Sequence, residues 1–415
     1  MDILEKCRRF ATSSDFAQKH GFPTNPGMAQ ALGLYPYFIP IDRSEGTEVV
    51  IDGRRLIMLG SNNYLGLTSH PLVKEAAAAA IREYGTGCTG SRFMNGTLGI
   101  HLALEDRLAR YVGKQKALIF ATGYQTNLGV ISALALKGDL VIADKEAHAS
   151  IQDGMQMAKV LKGAEIRFFR HNDLQSLEEL LSSCPEEVPK IVIVDGVFSM
   201  GGDIAPLPAI IALCGRYHAR TMVDDAHGLG VLGGGRGTAF HFGCADDVDL
   251  IMGTFSKSFA SQGGFIAGRA DVIQWIQHFA RPFMFSASLS PANIAAVSAA
   301  LDVIEAEPER VRRVNEIAAR MRAELRSIGY DTGNSQTPIV PINIGDPYRT
   351  LKVWRTLYRR GIYTNAALPP AVSPRHGLLR TSYMATHTDE QLGRVLEQSA
   401  EVWKECHFEP VPSGA

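Results

Sequence analysis

The segment Gly253-Thr-Phe-Ser-Lys257 sets a lysine in a polar, small-residue turn directly after the apolar run Val248-Asp-Leu-Ile-Met252. Upstream, Val223-Asp-Asp-Ala-His227 sets two carboxylates and an imidazole at the end of the strand-like run Thr221-Met-Val223. A lysine able to form a Schiff base, with an aspartate able to keep a pyridinium nitrogen protonated, is what pyridoxal 5'-phosphate (PLP) chemistry asks of a protein. Taken alone, Lys257 reads equally well as a surface lysine in a Ser/Gly loop, where most lysines sit. Thr254 and Ser256 shift that balance, because hydroxyls and turn N–H groups beside a reactive lysine can hold a phosphate dianion. Strand alternation points Asp224 and Asp225 to opposite sides, so only one faces a cofactor. Asp224 is the expected partner of the pyridine nitrogen and His227 a donor to the ring's 3-oxygen; the alternative is that both acids cap the following turn.

Further candidates lie elsewhere in the chain. Asp144-Lys-Glu-Ala-His148-Ala-Ser150 places an imidazole after a strand-like run. A flat ring there could stack on the cofactor and hydrogen-bond a substrate carboxylate or thioester oxygen, although a helix-terminal histidine fits the spacing as well. In Ala121-Thr-Gly-Tyr124-Gln-Thr-Asn127, Gly123 and Tyr124 can offer backbone N–H groups at a helix N-terminus, a weak signal common to strand-to-helix turns. Arg380 stands in the apolar run Leu378-Leu-Arg-Thr-Ser382. A guanidinium there is costly to bury unpaired and suits an amino-acid α-carboxylate; the alternative is an exposed edge-strand arginine. Gly85-Thr-Gly-Cys-Thr-Gly-Ser-Arg-Phe-Met-Asn-Gly-Thr97 is too glycine-rich for a regular element. It reads as backbone passing close to a ligand or a partner chain, against the alternative of a flexible loop.

The elements that must position these residues follow from apolar patterning. Short apolar runs at 117–120, 140–143, 165–169, 191–194, 220–223 and 250–252 alternate with helical stretches. Near-continuous apolar strands separated by helices predict an α/β fold with a mostly parallel sheet covered on both faces. Ligands bind beyond the carboxyl ends of such strands, where the candidates fall. Residues 48–58 read as a hairpin with Asp52-Gly53 at its turn. Residues 292–328 read as a long helical stretch, followed by a strand at 338–344, a helix near 350–361, a strand at 378–382 and a final helix capped by Thr388. The expected organisation is an N-terminal arm (1–45), a large cofactor-binding domain (46–290) and a smaller α+β C-terminal domain (291–415).

Composition narrows the function classes. The chain has 415 residues, 46% of them hydrophobic, and a net charge of −1. Without blocks of like charge, nucleic acid and anionic membranes are not expected as main partners. Six cysteines without a C-x-x-C pair read as reduced thiols in a cytoplasmic protein, with no metal site. The charged N-terminus lacks an apolar signal core, and no apolar run reaches the roughly 18 residues of a membrane span. Peripheral membrane contact stays open.

Taken together, the chain resembles the α-oxoamine synthases, PLP-dependent acyltransferases of the type I aminotransferase fold. The resemblance runs from about Gly33 to the last helix. It rests on Ser61-Asn-Asn-Tyr-Leu-Gly-Leu67, the segment 85–97, His148-Ala-Ser-Ile-Gln-Asp-Gly154, Asp195-Gly-Val-Phe-Ser-Met200, Asp224-Asp-Ala-His-Gly228 and Gly253-Thr-Phe-Ser-Lys257. Gly33-Leu-Tyr-Pro-Tyr-Phe and Met384-Ala-Thr-His-Thr388 are similar to the bacterial branch that condenses L-serine with a long-chain acyl-CoA. The resemblance implies Lys257 as the cofactor lysine, His148 as stacking base and Asp224 at the pyridine nitrogen. It also implies Ser199 and His227 near the 3-oxygen, Thr254 and Ser256 near the phosphate, and Asn63 and Arg380 near the substrate carboxylate. A homodimer with its site at the interface is implied too, with Ser286 and Ala287 approaching the partner's phosphate. The alternatives are a sister synthase using glycine or alanine, a PLP enzyme without acyl transfer, and a non-catalytic regulatory paralogue.

Overall fold

The computed structural model describes residues 2–19, 22, 24–369, 371–373 and 376–406. They divide into two compact units, Asn63–Ser199 with Asp203–Arg313, and Met1–Asn62 with Met200–Gly202 and Val314–Ala415.

The larger unit is built on a run such as Leu140-Val-Ile-Ala-Asp144, whose residues are all buried. Such a run has no polar face to give to water, so it must lie between two covered faces. Strands β1 (Lys116–Phe120), β2 (Leu140–Asp144), β3 (Glu165–Phe169), β4 (Lys190–Asp195), β5 (Ala219–Asp224), β6 (Leu250–Thr254) and β7 (Gly264–Gly268) form one sheet. Their spatial order is β1-β7-β6-β5-β4-β2-β3. Only β7 is antiparallel to its neighbours. The sheet is therefore mostly parallel, as expected. Phe120, Val141, Ile151, Met155, Ile193 and Met222 belong to one buried cluster with residues of the helices Gly123–Leu134, Ala149–Lys162 and Ala270–Phe279.

Strand β7 is an addition to the expected set, because its glycine-flanked run Gly264-Phe-Ile-Ala-Gly268 resembles a loop. The glycine has a packing reason. A Cβ at Gly264 would stand 2.7 Å from Gly123 Cα and 2.8 Å from Thr126 Oγ1. Only glycine lets the strand lie against the start of the helix Gly123–Leu134.

In the smaller unit, Glu48–Ile51 and Arg54–Met58 form the expected hairpin, turning through Asp52 (φ 49°) and Gly53 (φ 72°). Ile362 and Tyr363 pair in parallel with Ile57 and Met58, which is why residues 46–62 join the C-terminal segment rather than the larger unit. Pro291–Ala306 instead falls in the larger unit, where it packs along Pro71–Tyr84. The expected helix over 292–328 is two helices, Pro291–Ala306 and Glu309–Ile328, with Glu307 and Pro308 between them. Pro308 has no N–H to continue the helical ladder. The last helix, Asp389–Glu405, starts at Thr388, whose hydroxyl accepts from Gln391 N while the Gln391 side chain accepts from Thr388 N.

Candidate active site

Six of the larger unit's strands end, and β7 begins, at one edge of the sheet, so their following turns lie along one side. Helix Gly123–Leu134 follows β1; its cap, Thr122, accepts from Gln125 N at 3.1 Å. Helix Ala149–Lys162 follows β2, and its cap is His148. The turns after β4, β5 and β6 carry Ser199, His227 and Lys257.

A hydrogen-bonded chain, buried at Asn127, Ser150 and Asp224 and exposed at His148, joins three of these turns. Asn127 Nδ2 donates to Asp224 Oδ2 at 2.7 Å and to Ser150 Oγ at 2.8 Å. Ser150 Oγ lies 2.8 Å from His148 Nδ1, and Ser150 N donates to the same nitrogen at 3.2 Å. A nitrogen that accepts is unprotonated, so the proton of neutral His148 sits on Nε2. Asp224 Oδ1 accepts from Ala226 N at 3.0 Å. The His148 N–H donates to Asp195 Oδ2 at 3.0 Å.

Electrostatics follow from this arrangement. His148 is exposed, but partial desolvation lowers its pKa below the ordinary 6.5, Asp224 acting against this and Lys257 in the same direction. Burial raises the Asp195 carboxyl well above the usual range, and Asp224 adds to the effect. Lys257, half-buried, and Asp224 therefore act on the same neighbours.

The adjacent aspartates face opposite ways, as alternation requires. Asp225 accepts from Thr238 N at 2.7 Å and Thr238 Oγ1 at 2.6 Å. Burial pushes its pKa up to about 7. His227 Nδ1 lies 2.7 Å from the Tyr64 hydroxyl.

The residues fit PLP in a tight cradle between Gly123 and Thr254. A Cβ at Gly123 would stand 2.7 Å from Thr254 Oγ1. Thr254 Oγ1 is 3.0 Å from Ser256 Oγ, and Ser256 is exposed. Hydroxyls thus stand beside the free N–H groups of a helix start, a donor set suited to a phosphate. A buried carboxylate oriented by an amide stands at the neighbouring strand end, suited to a ring N–H.

The other expected residues are placed as follows. The Tyr124 hydroxyl donates to Asp153. Ser286 Oγ accepts from Gln125 Nε2 at 3.1 Å, and Ala287 is exposed. Ser288, next to them, donates from its N to Gly90 O and from its Oγ to Gly96 O at 2.6 Å, which pins the glycine-rich segment. Asn63 Nδ2 donates to Thr68 Oγ1 at 2.8 Å. Arg380 belongs to the smaller unit, buried in strand Gly377–Ser382, where its Nη1 donates to Ser382 Oγ at 2.8 Å. Sequence reasoning quoted Asn127, Ser150, Asp195 and Tyr64 within its motifs but gave none of them a role. Asn127 and Ser150 are polar residues within helices, a signal that becomes legible only when something buried needs their donors.

Comparison with known proteins gives the family of the chain. The family model for aminotransferase class I and II matches residues 54–398. A serine palmitoyltransferase from Sphingobacterium spiritivorum is 47% identical over 92% of this chain and 94% of its own length. An 8-amino-7-oxononanoate synthase from Geobacter sulfurreducens is 43% identical over 90% of this chain and 95% of its own. Among solved structures, serine palmitoyltransferase from S. paucimobilis with a bound PLP–myriocin aldimine superposes with a TM-score of 0.91 at 33% identity, covering 98% of this chain and 100% of that one. The Sphingomonas wittichii enzyme gives 0.91 at 37%, covering 99% and 100%. The chain belongs to the aminotransferase class I and II family, in its α-oxoamine synthase branch of PLP-dependent acyltransferases.

Proposed function

We propose that this chain catalyses the serine palmitoyltransferase reaction, the decarboxylative condensation of L-serine with palmitoyl-CoA to 3-ketosphinganine, CoA and carbon dioxide. In that reaction the serine α-carbon loses its bond to the carboxylate carbon and gains one to the thioester carbonyl carbon, and the thiol of CoA leaves. The observation that carries the reading is the hydrogen-bonded chain from exposed His148 through buried Ser150 and Asn127 to buried Asp224, an oriented imidazole and carboxylate that both interact with Lys257 or its neighbours. Relatives named as serine palmitoyltransferases support the choice of substrates, at 47% and 49% identity, against 43% for the Geobacter sulfurreducens synthase.

PLP is the cofactor, and when bound it supplies an electron sink for the charge left on the serine α-carbon. Lys257 Nζ carries the cofactor and takes and returns the α-proton. Asp224, held by Asn127, keeps the proton on the ring nitrogen. Neutral His148 presents its flat ring to the cofactor. Thr254, Ser256 and the N–H groups of Gly123 and Tyr124 hold the phosphate, and Ser199 and His227 face the 3-oxygen. Asn63 and Arg380 bind the serine carboxylate, a task for a guanidinium already shielded from water.

The protein works as a homodimer in this reading, with Ser286 and Ala287 reaching the partner's phosphate. Exposed Phe93, Met94 and Phe285 around the pinned glycine-rich segment support an interface there. No helix among the described residues is long and apolar enough to cross a membrane. We place the protein in the cytoplasm, meeting its acyl substrate at the membrane surface.

The test is thiol release from palmitoyl-CoA by the PLP-loaded protein with L-serine, glycine and L-alanine in parallel. Release with serine is the expected result. Release only with alanine or glycine would move the chain to a sister synthase, a reading that the 43% identity to 8-amino-7-oxononanoate synthase keeps specific.

A further inference from the structure

Beside the site, after β3, His171 is gripped on both sides. Its Nδ1 lies 3.1 Å from Asp144 Oδ1 and its Nε2 lies 3.0 Å from Asp203 Oδ2. Its ring packs edge-on against Phe198 at 4.4 Å. Asp144, fully buried at the end of β2, also accepts from Glu146 N at 2.8 Å and Asn172 N at 2.9 Å. Asn172, in the left-handed region at φ 50°, donates from Nδ2 to Asp203 Oδ2 at 2.8 Å.

Each carboxylate belongs to a different loop of the proposed site. Asp144 opens the turn that presents His148: Ala147 N donates to its carbonyl, and His148 N donates to Asp195. Asp203 closes the loop that carries Ser199: Phe198 N donates to its carbonyl, and Val197 bridges to Ile204.

We propose that His171 is a positioning residue that ties the His148 turn to the Ser199 loop, so that the two move as one body. The inference rests on the functional reading above only for what those loops do; their coupling stands on the contacts. Two carboxylate acceptors need two N–H donors, which only the imidazolium has. Burial opposes that charge, but the bonds to Asp144 and Asp203 outweigh it and raise the pKa to about 10. Glu146 Oε2, 3.9 Å from Nε2, adds a third carboxylate.

His171→Phe keeps a ring against Phe198 and removes both donors. Hydrogen–deuterium exchange on the cofactor-free variant tests the coupling. The expected result is faster exchange in both 144–150 and 196–205, with 116–120 unchanged. In the PLP-loaded variant, kcat falls about 10- to 100-fold, the usual cost of losing a partner that orients an active-site group, with little change in the KM for serine. His171→Arg, a cation with several donors, restores part of kcat. Unchanged exchange in either segment, or loosening of one alone, overturns the proposal. If His171→Phe does not fold, Asp203→Ala decides: it removes the acceptor at Nε2 and keeps the Asp144 contact, and unchanged exchange at 196–205 overturns the proposal. The exchange readout contains no substrate, so it stands whichever amino acid the wild type condenses.

Discussion

His148 and His171 stand at the same edge of one sheet, each beside carboxylates, yet one is neutral and the other charged at neutral pH. His148 has a hydroxyl and an N–H of Ser150 at its Nδ1, with Lys257 nearby, and its pKa is lowered. His171 has a carboxylate at each nitrogen, and its pKa is raised to about 10. Burial disfavours the imidazolium in both; what differs is the atom the ring nitrogen meets. The neutral ring is free to stack on a cofactor, while the charged one serves as a strut. The two aspartates repeat the lesson at the end of β5. Asp224 is turned toward Asn127 and the helix starts, Asp225 toward Thr238, and a single peptide unit separates the roles.

The strongest way to break this contrast is at Lys257. Lys257→Ala is expected to abolish thiol release and the lysine-dependent visible absorbance, measured on protein reconstituted with PLP; normal turnover would remove the site assignment. Asp224→Asn is expected to keep cofactor but lower kcat about 10²- to 10³-fold, the scale of losing one preorganised electrostatic group. Its counterpart, Thr238→Val, leaves Asp225 Oδ1 without its hydroxyl partner. It should cost about 1–3 kcal/mol of stability, read by denaturant unfolding, with kcat unchanged. A large kcat loss there would mean that the two aspartates are not separate in role.

Gly123→Ala is expected to weaken PLP binding roughly tenfold, about 1.4 kcal/mol, because the new Cβ meets Thr254 Oγ1. The smallest effect is a titration. His171, facing Asp144, Asp203 and Glu146, has a folded pKa above its ordinary 6.5. Its stabilisation is therefore whole below pH 6.5 and is lost as pH rises through about 10. NMR of labelled imidazoles should show His171 still protonated at pH 8 and His148 neutral at pH 7. A His171 titrating near 6.5 would erase the distinction.

Much of this was legible in the chain itself. Six apolar runs mark six strands of the main sheet, because a strand buried on both faces cannot hide its composition. β7 was missed because glycine's lack of a side chain, which the packing against Gly123 demands, is also the mark of a loop. The two helices at 291–328 were merged because their apolar pattern carries across Pro308. Of the site, the residues next to strand ends were legible, since topology alone sends them to one edge. Asn127 and Ser150 were not, because a polar residue inside a helix looks alike whether it faces water or a buried carboxylate.

The sequence by itself determined the residue types and the edge: a lysine, two aspartates and several histidines, each a few positions after a strand that must be buried. The tertiary structure decided which aspartate meets Asn127, which histidine is neutral and which is charged. Those outcomes depend on contacts between residues as far apart as Asn127 and Asp224, at distances near 3 Å. At that range the identity of a single neighbouring atom sets a proton's free energy, and linear order along the chain does not encode it.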